Sequence, residues 1–145
     1  MSFMTVEDNL RLINELYEAF NKKDWDAVFE LHSDEHQRFD TNRPEPMKGL
    51  GPYRKYVQGF SDSFPDLQIE VVRAFGQGDM VCDEHITSGT HIGPMKSADG
   101  RTIPPSGKSF RVRNCHIYKI KAGKIVETWR YLDQLVFLTQ LDLVP

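Results

Sequence analysis

TWRYLDQLVFLTQL, residues Thr128 to Leu141, joins two elements with different hydrophobic periods. Before Asp133 the chain alternates between polar and apolar residues, which is typical of a strand with one buried face. After Asp133 the apolar residues recur as on the buried face of a helix, at Leu135, Val136, Leu138 and Leu141. The stretch therefore predicts a last strand followed by a short helix, with one carboxylate at their junction. That carboxylate either caps the helix or faces a cavity, where it could transfer protons.

Three earlier segments share the strand period. Residues 67–75 (LQIEVVRAF) alternate, the turn GQGD follows, and residues 80–92 (MVCDEHITSGTHI) continue as a long strand, which predicts a hairpin. Residues 109–120 (SFRVRNCHIYKI) and 125–132 (IVETWRYL), separated by KAGK, predict a second hairpin. Residues 93–108, between the hairpins, are rich in Gly, Pro and Ser and are predicted to form a loop.

Helical periodicity precedes the strands. A helix is predicted over residues 6–21, and Asp24 can cap a second, short helix. A third helix has Pro52 in its first turn and stops before Pro65. A short strand and a loop are expected between the second and third helices. Helices followed by an antiparallel meander indicate an α+β fold in a single domain, residues 1–145, with a cavity between a curved sheet and the helices.

The composition narrows the classes of partner. A net charge of -3 and a pI of about 5.9 argue against a nucleic-acid partner, since phosphate binding favours a basic face. The chain has no apolar run long enough to span a membrane, and its N-terminus lacks the pattern of a signal peptide. Cys82 and Cys115 are then expected to be reduced core residues of a cytoplasmic protein.

Several motifs together resemble one family. GQGDMV, SGTHIG, IPPSGKSF, KAGKIVETW and LDQLVFLTQL occur in the order and spacing found in the SnoaL-like polyketide cyclases, also called ester cyclases. That group lies within the NTF2-like, or ketosteroid-isomerase-like, superfamily. The resemblance implies a cone-shaped, cystatin-like α+β barrel with a curved antiparallel sheet. It also implies a homodimer or higher oligomer formed through the outer sheet face, no metal and no organic cofactor.

The resemblance also implies a reaction and its residues. The family closes a ring in a polyketide ester by an intramolecular aldol reaction, so the expected ligand is a small hydrophobic or aromatic carbonyl compound. The acid-base aspartate of the family matches Asp133, its strand histidine matches His116, and the histidine of its GTH motif matches His91. The alternatives from the residues alone are a helix cap for Asp133, a core histidine for His116 and a loop contact for His91.

Further residues are predicted to contact a ligand. Regular alternation would place Trp129 and Tyr131 on the same strand face as Asp133, and Asn114 on the same face as His116. The remaining candidates are a tyrosine on the first helix, a histidine after the second helix and an aromatic residue on the third helix, namely Tyr17, His32 and Phe60. His32 and His36 are four residues apart, but their segment is not predicted to be helical, so no metal site is expected.

Three other functions are compatible with this type of fold. A binding protein without chemistry would use Asp133 only as a cap. A ketosteroid-isomerase-like enzyme would use Asp40 as its base, but Leu16 and Cys115 stand where its two oxyanion donors should be. An epoxide hydrolase would need an arginine beside its acids, and alternation places Arg130 on the face opposite Asp133. His85, in the middle of its strand, is expected to face the outer sheet surface.

Overall fold

The computed structural model describes residues 4–97 and 99–144. The first half contains α1 (Val6–Asn21), α2 (Trp25–Glu30), β1 (His32–Asp40), β2 (Met47–Lys48) and α3 (Leu50–Ser63). The second half contains β3 (Gln68–Gln77), β4 (Met80–Thr90), β5 (Met95–Lys96), β6 (Thr102–Ile103), β7 (Ser109–Lys121), β8 (Lys124–Tyr131) and α4 (Gln134–Gln140). The predicted loop between the hairpins contains the small β5–β6 pair, and its residue Ala98 lies outside the described residues.

One six-stranded sheet carries the fold. Its order is β2-β1-β8-β7-β4-β3, and every neighbouring pair is antiparallel except β1 and β8, which run parallel. The helices pack on the curved inner face of this sheet, which confirms the predicted α+β class. The parallel pair arises because β1 follows the helices and inserts beside the last strand, a pairing that no local pattern reveals.

The helix boundaries follow from local capping. Thr5 and Asp8 form a reciprocal capping box at the start of α1, and Asp24 accepts a hydrogen bond from the amide of Ala27 at the start of α2. α1 spans the predicted residues 6–21, and α3 ends before Pro65, as its proline signal predicted. None of the helices in the described residues is long and apolar enough to cross a membrane.

The two hairpins close through two-residue turns. β3 and β4 are joined at Gly78, whose φ of 61° lies in the left-handed region. β7 and β8 are joined by Ala122 and Gly123, with φ of 51° and 73°. Positive φ at both central residues matches the right-handed twist of the flanking strands, so this turn brings β7 and β8 into register.

A register shift in β8 corrects one sequence-based prediction. Pairing between β7 and β8 shifts between Lys119 and Ile120, and a bulge of this kind moves the following side chains to the other face. Thr128 and Arg130 consequently face the helices and line the cavity. Trp129 and Tyr131 face the outer side of the sheet, opposite to the face that regular alternation predicted for them.

β4 corrects a second prediction. Its buried inner positions include Val81, Asp83, His85 and Thr87. His85 is 1% exposed and lines the cavity, so its predicted place on the outer face is wrong. The error arose because apolar residues such as Cys82 and Ile86 also occupy the alternate positions, which leaves the buried face of this strand undecided by sequence.

Candidate functional site

A cavity of about 750 Å³ lies between the helices and the inner sheet face. Two clusters of buried apolar side chains flank it, one around α1 and α2 and one around Phe64, Phe110 and Phe137. Aromatic side chains supply much of its wall: Tyr17, Phe20, Tyr53, Tyr56, Phe60, Phe110 and Phe137. An apolar cavity of this size with a few converging polar groups is typical of a site for a small organic ligand.

Asp133 lies at the opening of this cavity. Its side chain is exposed, lines the cavity, and accepts a hydrogen bond of 3.1 Å from the amide of Val136 at the start of α4. Within residues 4–97 and 99–144 that is the one hydrogen bond its carboxylate makes. The two interpretations of Asp133 therefore coexist, because the same carboxylate caps the helix and faces the cavity.

A buried ion cluster supplies part of the wall of the same cavity. Asp40 has a fully buried side chain and accepts two hydrogen bonds from Arg130, at 3.1 and 3.2 Å, and one from Arg38, at 3.0 Å. Arg43 lies 3.8 Å from its second oxygen. Arg38 also lies over the ring of Tyr56, with its guanidinium carbon 5.1 Å from the ring centroid. Asp40 itself is not among the residues that line the cavity, whereas the three arginines are.

The charge of this cluster does not balance. Arg38 and Arg130 are each about one-tenth exposed and share the single carboxylate of Asp40. Burial is the largest single effect and lowers the pKa of Arg38, but the Asp40 carboxylate and the nearby tyrosine hydroxyls together raise it above its ordinary value. Guanidinium groups keep their charge in proteins, so this part of the cavity wall carries excess positive charge that can stabilise an anionic oxygen.

A second polar group, here called the polar chain, consists of His116, Tyr118, Tyr17, Asp83 and His85. Asp83 is fully buried and lies 2.5 Å from the Tyr17 hydroxyl and 2.7 Å from His85 Nδ1. The hydroxyls of Tyr17 and Tyr118 are 2.5 Å apart, and Tyr118 lies 2.7 Å from His116 Nδ1. All five side chains are at most 7% exposed, and all except Asp83 line the cavity.

Burial disfavours the charged forms of Tyr17, Tyr118 and His116. Burial raises the pKa of both tyrosines well above the ordinary value, and the Asp83 charge acts in the same direction. Burial also lowers the pKa of His116 well below its ordinary value, with further lowering by His85. The tyrosine hydroxyls therefore stay protonated, and His116 stays an uncharged imidazole at neutral pH.

The cavity brings together five of the nine residues predicted from sequence. Tyr17, Phe60, Asn114, His116 and Asp133 all line it. The other four do not line it within the described residues, namely His32, His91, Trp129 and Tyr131.

Trp129 and Tyr131 lie outside the cavity because of the register shift in β8. Trp129 stacks on Phe39 across the parallel strand pair, with ring centroids 5.5 Å apart and an interplanar angle of 11°. Tyr131 is 49% exposed on the outer face. The predicted contact of these two side chains with a ligand in the cavity is therefore corrected.

His91 is held in the loop that follows β4. Its ring is buried, accepts a hydrogen bond of 3.2 Å from the Ser106 amide at Nδ1, and packs against Phe64. Its amide and carbonyl also bond across the loop, to Lys108 and Gly107. The structure thus gives His91 the loop contact that was its alternative interpretation, away from the cavity.

His32 and His36 form a buried pair beneath the cavity wall. His32 Nδ1 lies 2.7 Å from the carbonyl of Val28, and His36 Nε2 lies 2.8 Å from the Thr128 hydroxyl. The two rings meet edge to face with centroids 4.7 Å apart, and both contact Tyr53. These contacts make the pair part of the packing behind the ion cluster.

Because His32 and His36 are buried, the free energy of unfolding should fall at mildly acidic pH. Burial lowers the pKa of His32 to about 4 and that of His36 to about 3, against about 6.5 in an unfolded chain. Between these values the unfolded state binds protons that the folded state does not, so the free energy of unfolding falls as pH drops through this window. At pH 5 we expect each histidine to cost about 2 kcal/mol relative to pH 7.

Urea unfolding at pH 7 and pH 5 measures this loss. His36→Gln, which cannot gain a proton in that range, should show a smaller loss than the wild-type chain. An equal loss in both proteins would contradict the assignment to His36.

Sequence reasoning missed the residues that only pairing brings together. Asp83, His85, Arg38 and Arg130 were not predicted to lie at the site. One available signal was the strand sequence Asp83-Glu84-His85, in which two ionisable residues share a face in the middle of a strand. The arginines had no such signal, because their orientation depends on the β8 register and on the parallel pairing of β1.

Known proteins give an independent comparison. A family model described as SnoaL-like polyketide cyclase matches residues 11–141, which is most of the chain. The chain belongs to this family. None of the curated proteins matches it.

Solved structures of several SnoaL-like and related proteins share the fold. A SnoaL-like polyketide cyclase candidate from Jannaschia Sp. CCS1 is 18% identical with a TM-score of 0.84, covering 100% of this chain and 99% of its own. IdmH, a polyketide cyclase candidate from Streptomyces antibioticus, is 26% identical with a TM-score of 0.76, over 92% and 98%. An LEH-like epoxide hydrolase from M. tuberculosis is 13% identical with a TM-score of 0.72, over 94% and 90%.

Proposed function

We propose that this SnoaL-like protein is a cofactor-free enzyme that closes a ring in a polyketide-like ester, or a similar carbonyl compound, by an intramolecular aldol reaction. The observation that carries the proposal is the position of Asp133. Asp133 is an exposed residue that lines the cavity, and Arg38 and Arg130 line the same cavity. A base near excess positive charge is the arrangement that removal of a proton next to a carbonyl requires.

The proposed reaction needs only proton transfer and charge stabilisation. Asp133 takes the proton from a carbon between two carbonyls, the electron pair of that C–H bond forms a C=C bond, and the carbonyl π pair moves to its oxygen to give an enolate. The guanidiniums of Arg38 and Arg130 stabilise this oxyanion. The enolate carbon then attacks a second carbonyl of the same molecule and forms a C–C bond. The resulting alkoxide recovers the proton from Asp133, so the carboxylate is restored.

The contacts of His116 support a different role in this scheme. Its Nδ1 is engaged by the Tyr118 hydroxyl and its ring is uncharged, so it supplies no positive charge to an enolate oxygen. We therefore propose the arginines as the oxyanion donors and His116 as a ligand contact. Tyr17, Phe60 and Asn114 remain proposed ligand contacts because they line the same cavity.

Ring closure of a synthetic substrate tests the proposal. An aryl β-keto ester that carries a second carbonyl in reach of ring formation is incubated with the protein, and the cyclised product is measured by liquid chromatography against the buffer rate. Ring closure above that background supports the enzyme. A rate equal to the background for a set of such esters that bind in the cavity would favour a binding protein instead.

The ion cluster argues against the ketosteroid-isomerase-like alternative. Its base would be Asp40, but that carboxylate is occupied by hydrogen bonds from Arg38 and Arg130 and is not among the residues that line the cavity. The objection to an epoxide hydrolase from alternation was wrong, since Arg130 does face the cavity. The likeness to the LEH-like epoxide hydrolase supports the shared fold alone.

We also propose that a second copy of the chain covers the outer sheet face. An apolar stripe crosses five strands of this face in register, formed by Phe75, Cys82, Ile117, Trp129 and Phe39. Phe75 is 62% exposed at one end of the stripe. The charged neighbours Arg73 and Arg113 both pair with Glu84, which offsets part of their charge beside the stripe.

Light scattering after gel filtration checks this association. We expect a mass of twice the 16.8 kDa chain, and a monomer when Phe75→Glu places a charge in the stripe. Gln77→Glu introduces the same charge two residues along the same strand and should leave the dimer intact. A monomeric wild-type chain would contradict the proposal.

A further inference from the structure

The carboxylate of Asp83 fixes the direction of every hydrogen bond in the polar chain. With Asp83 in its carboxylate form both of its oxygens only accept, so Tyr17 donates its hydroxyl hydrogen to Asp83 and His85 donates from Nδ1. Tyr17 has no second hydrogen, so the bond between the two hydroxyls has Tyr118 as its donor. Tyr118 has then used its own hydrogen, and His116 must donate from Nδ1 to the Tyr118 oxygen.

This assignment leaves His116 with an unused acceptor. A neutral imidazole has one N–H group, which here lies on Nδ1, so Nε2 presents a lone pair. Nε2 is buried and has no hydrogen-bond partner among the described residues. The His116 side chain is 7% exposed and lines the cavity. A buried acceptor without a partner is costly, so a ligand that supplies a hydrogen at this point gains affinity.

The surroundings of His116 select the kind of donor. Arg38 and Arg130 line the same cavity and carry more charge than Asp40 neutralises, which disfavours a cationic donor such as an ammonium group. A deprotonated oxygen would bring a second lone pair against Nε2 and would be repelled. The aromatic walls favour a flat ring next to the donor. A neutral hydroxyl on an aromatic or conjugated ring meets all three conditions.

We propose that His116 Nε2 is a recognition point for a phenolic or enolic hydroxyl of the ligand, and that Asp83 is the positioning residue that fixes its orientation through the two tyrosines. The adjacent Asn114 lies two residues along the same face of β7, with its amide oxygen also buried and unpartnered among the described residues. The amide of Asn114 can therefore hold a second polar group next to the hydroxyl. This proposal describes the ligand of the cavity in which ring closure is proposed. It rests on the proposed function only in taking that cavity as the binding site.

A pair of neutral probes tests this recognition without turnover. 2-Naphthol and 2-methoxynaphthalene have the same ring system, and only the first can donate a hydrogen. Isothermal titration with the wild-type chain should give at least about tenfold tighter binding of 2-naphthol, because the ether leaves Nε2 unsatisfied. Equal affinities for the two probes, or no binding of either at millimolar concentration, would overturn the proposal.

Two variants assign the effect to His116. His116→Phe keeps an aromatic ring but removes the acceptor, and should reduce the difference between the probes to less than about twofold. Phe60→Leu alters an apolar part of the same cavity, so it should change both affinities in parallel and keep their ratio. A tenfold preference that survives in His116→Phe would contradict the assignment.

Nuclear magnetic resonance of the wild-type chain gives a readout that does not depend on a variant. The long-range ¹⁵N couplings of His116 should show the tautomer protonated at Nδ1, and the Nε2 resonance should shift when 2-naphthol binds but not when the ether binds. Tyr118→Phe removes the hydroxyl that links His116 to Tyr17 and Asp83. In this variant His116 should no longer be restricted to the tautomer protonated at Nδ1. An Nε2-protonated His116 in the wild type would overturn the proposal. If the probe and resonance results are as expected but the protein does not catalyse ring closure, the proposed function is wrong and the proposal for His116 stands.

Discussion

Replacing Asp40 with alanine should lower the free energy of unfolding by about 3–5 kcal/mol, the cost of removing one partner from a buried ion pair. The substitution leaves the guanidiniums of Arg38 and Arg130 buried without their shared carboxylate. Neither arginine can lose its proton, so the uncompensated charge stays in the folded state. Urea unfolding at pH 7 measures the loss.

A matched control shows whether the loss comes from the buried charges or from any alanine substitution in β1. Asp34 lies on the same strand and is exposed, so Asp34→Ala should stay within about 0.5 kcal/mol of the wild type. A loss in Asp40→Ala below about 1 kcal/mol would mean that water reaches the two guanidiniums, and the cavity wall would then not be the low-dielectric site that the proposed oxyanion stabilisation needs.

Asp133→Asn should abolish ring closure while leaving the protein folded. General base catalysis contributes about 10²- to 10⁴-fold to a rate, and an asparagine amide cannot accept the proton. Asparagine is as favourable a helix cap as aspartate, so its side chain can keep the bond to the Val136 amide. The expected result is a loss of about 10²-fold or more in the rate of product formation, with a urea midpoint close to that of the wild type.

Asp133→Ala serves as the comparison for stability. It removes the cap as well as the base, and should cost about 1 kcal/mol in the free energy of unfolding in addition to the activity. Probe binding in the cavity should persist in Asp133→Asn, since the carboxylate lies at the opening. Full activity in Asp133→Asn would reduce this residue to its capping role, and the SnoaL-like reaction would lose its base in this chain.

Local signals in the sequence determined the helices and most strand spans. The capping box of Thr5 and Asp8 and the cap at Asp24 act within one turn of the chain, so they are legible without knowledge of the fold. The turn glycines at 78 and 123 are equally local. The family motifs added Asp133 and His116, and the structure places both at the cavity.

The tertiary structure alone decided which face each polar residue occupies. A single register shift between Lys119 and Ile120 moved Arg130 into the cavity and Trp129 out of it, and a pattern of period two cannot reveal where such a shift occurs. The polar chain depends on even longer-range pairing, because Tyr17 meets Asp83 from 66 residues away and Tyr118 from 101 residues away. Packing of the whole fold decides which residues at such separations become hydrogen-bond partners. The sequence therefore contains these residues but does not reveal the site that they form.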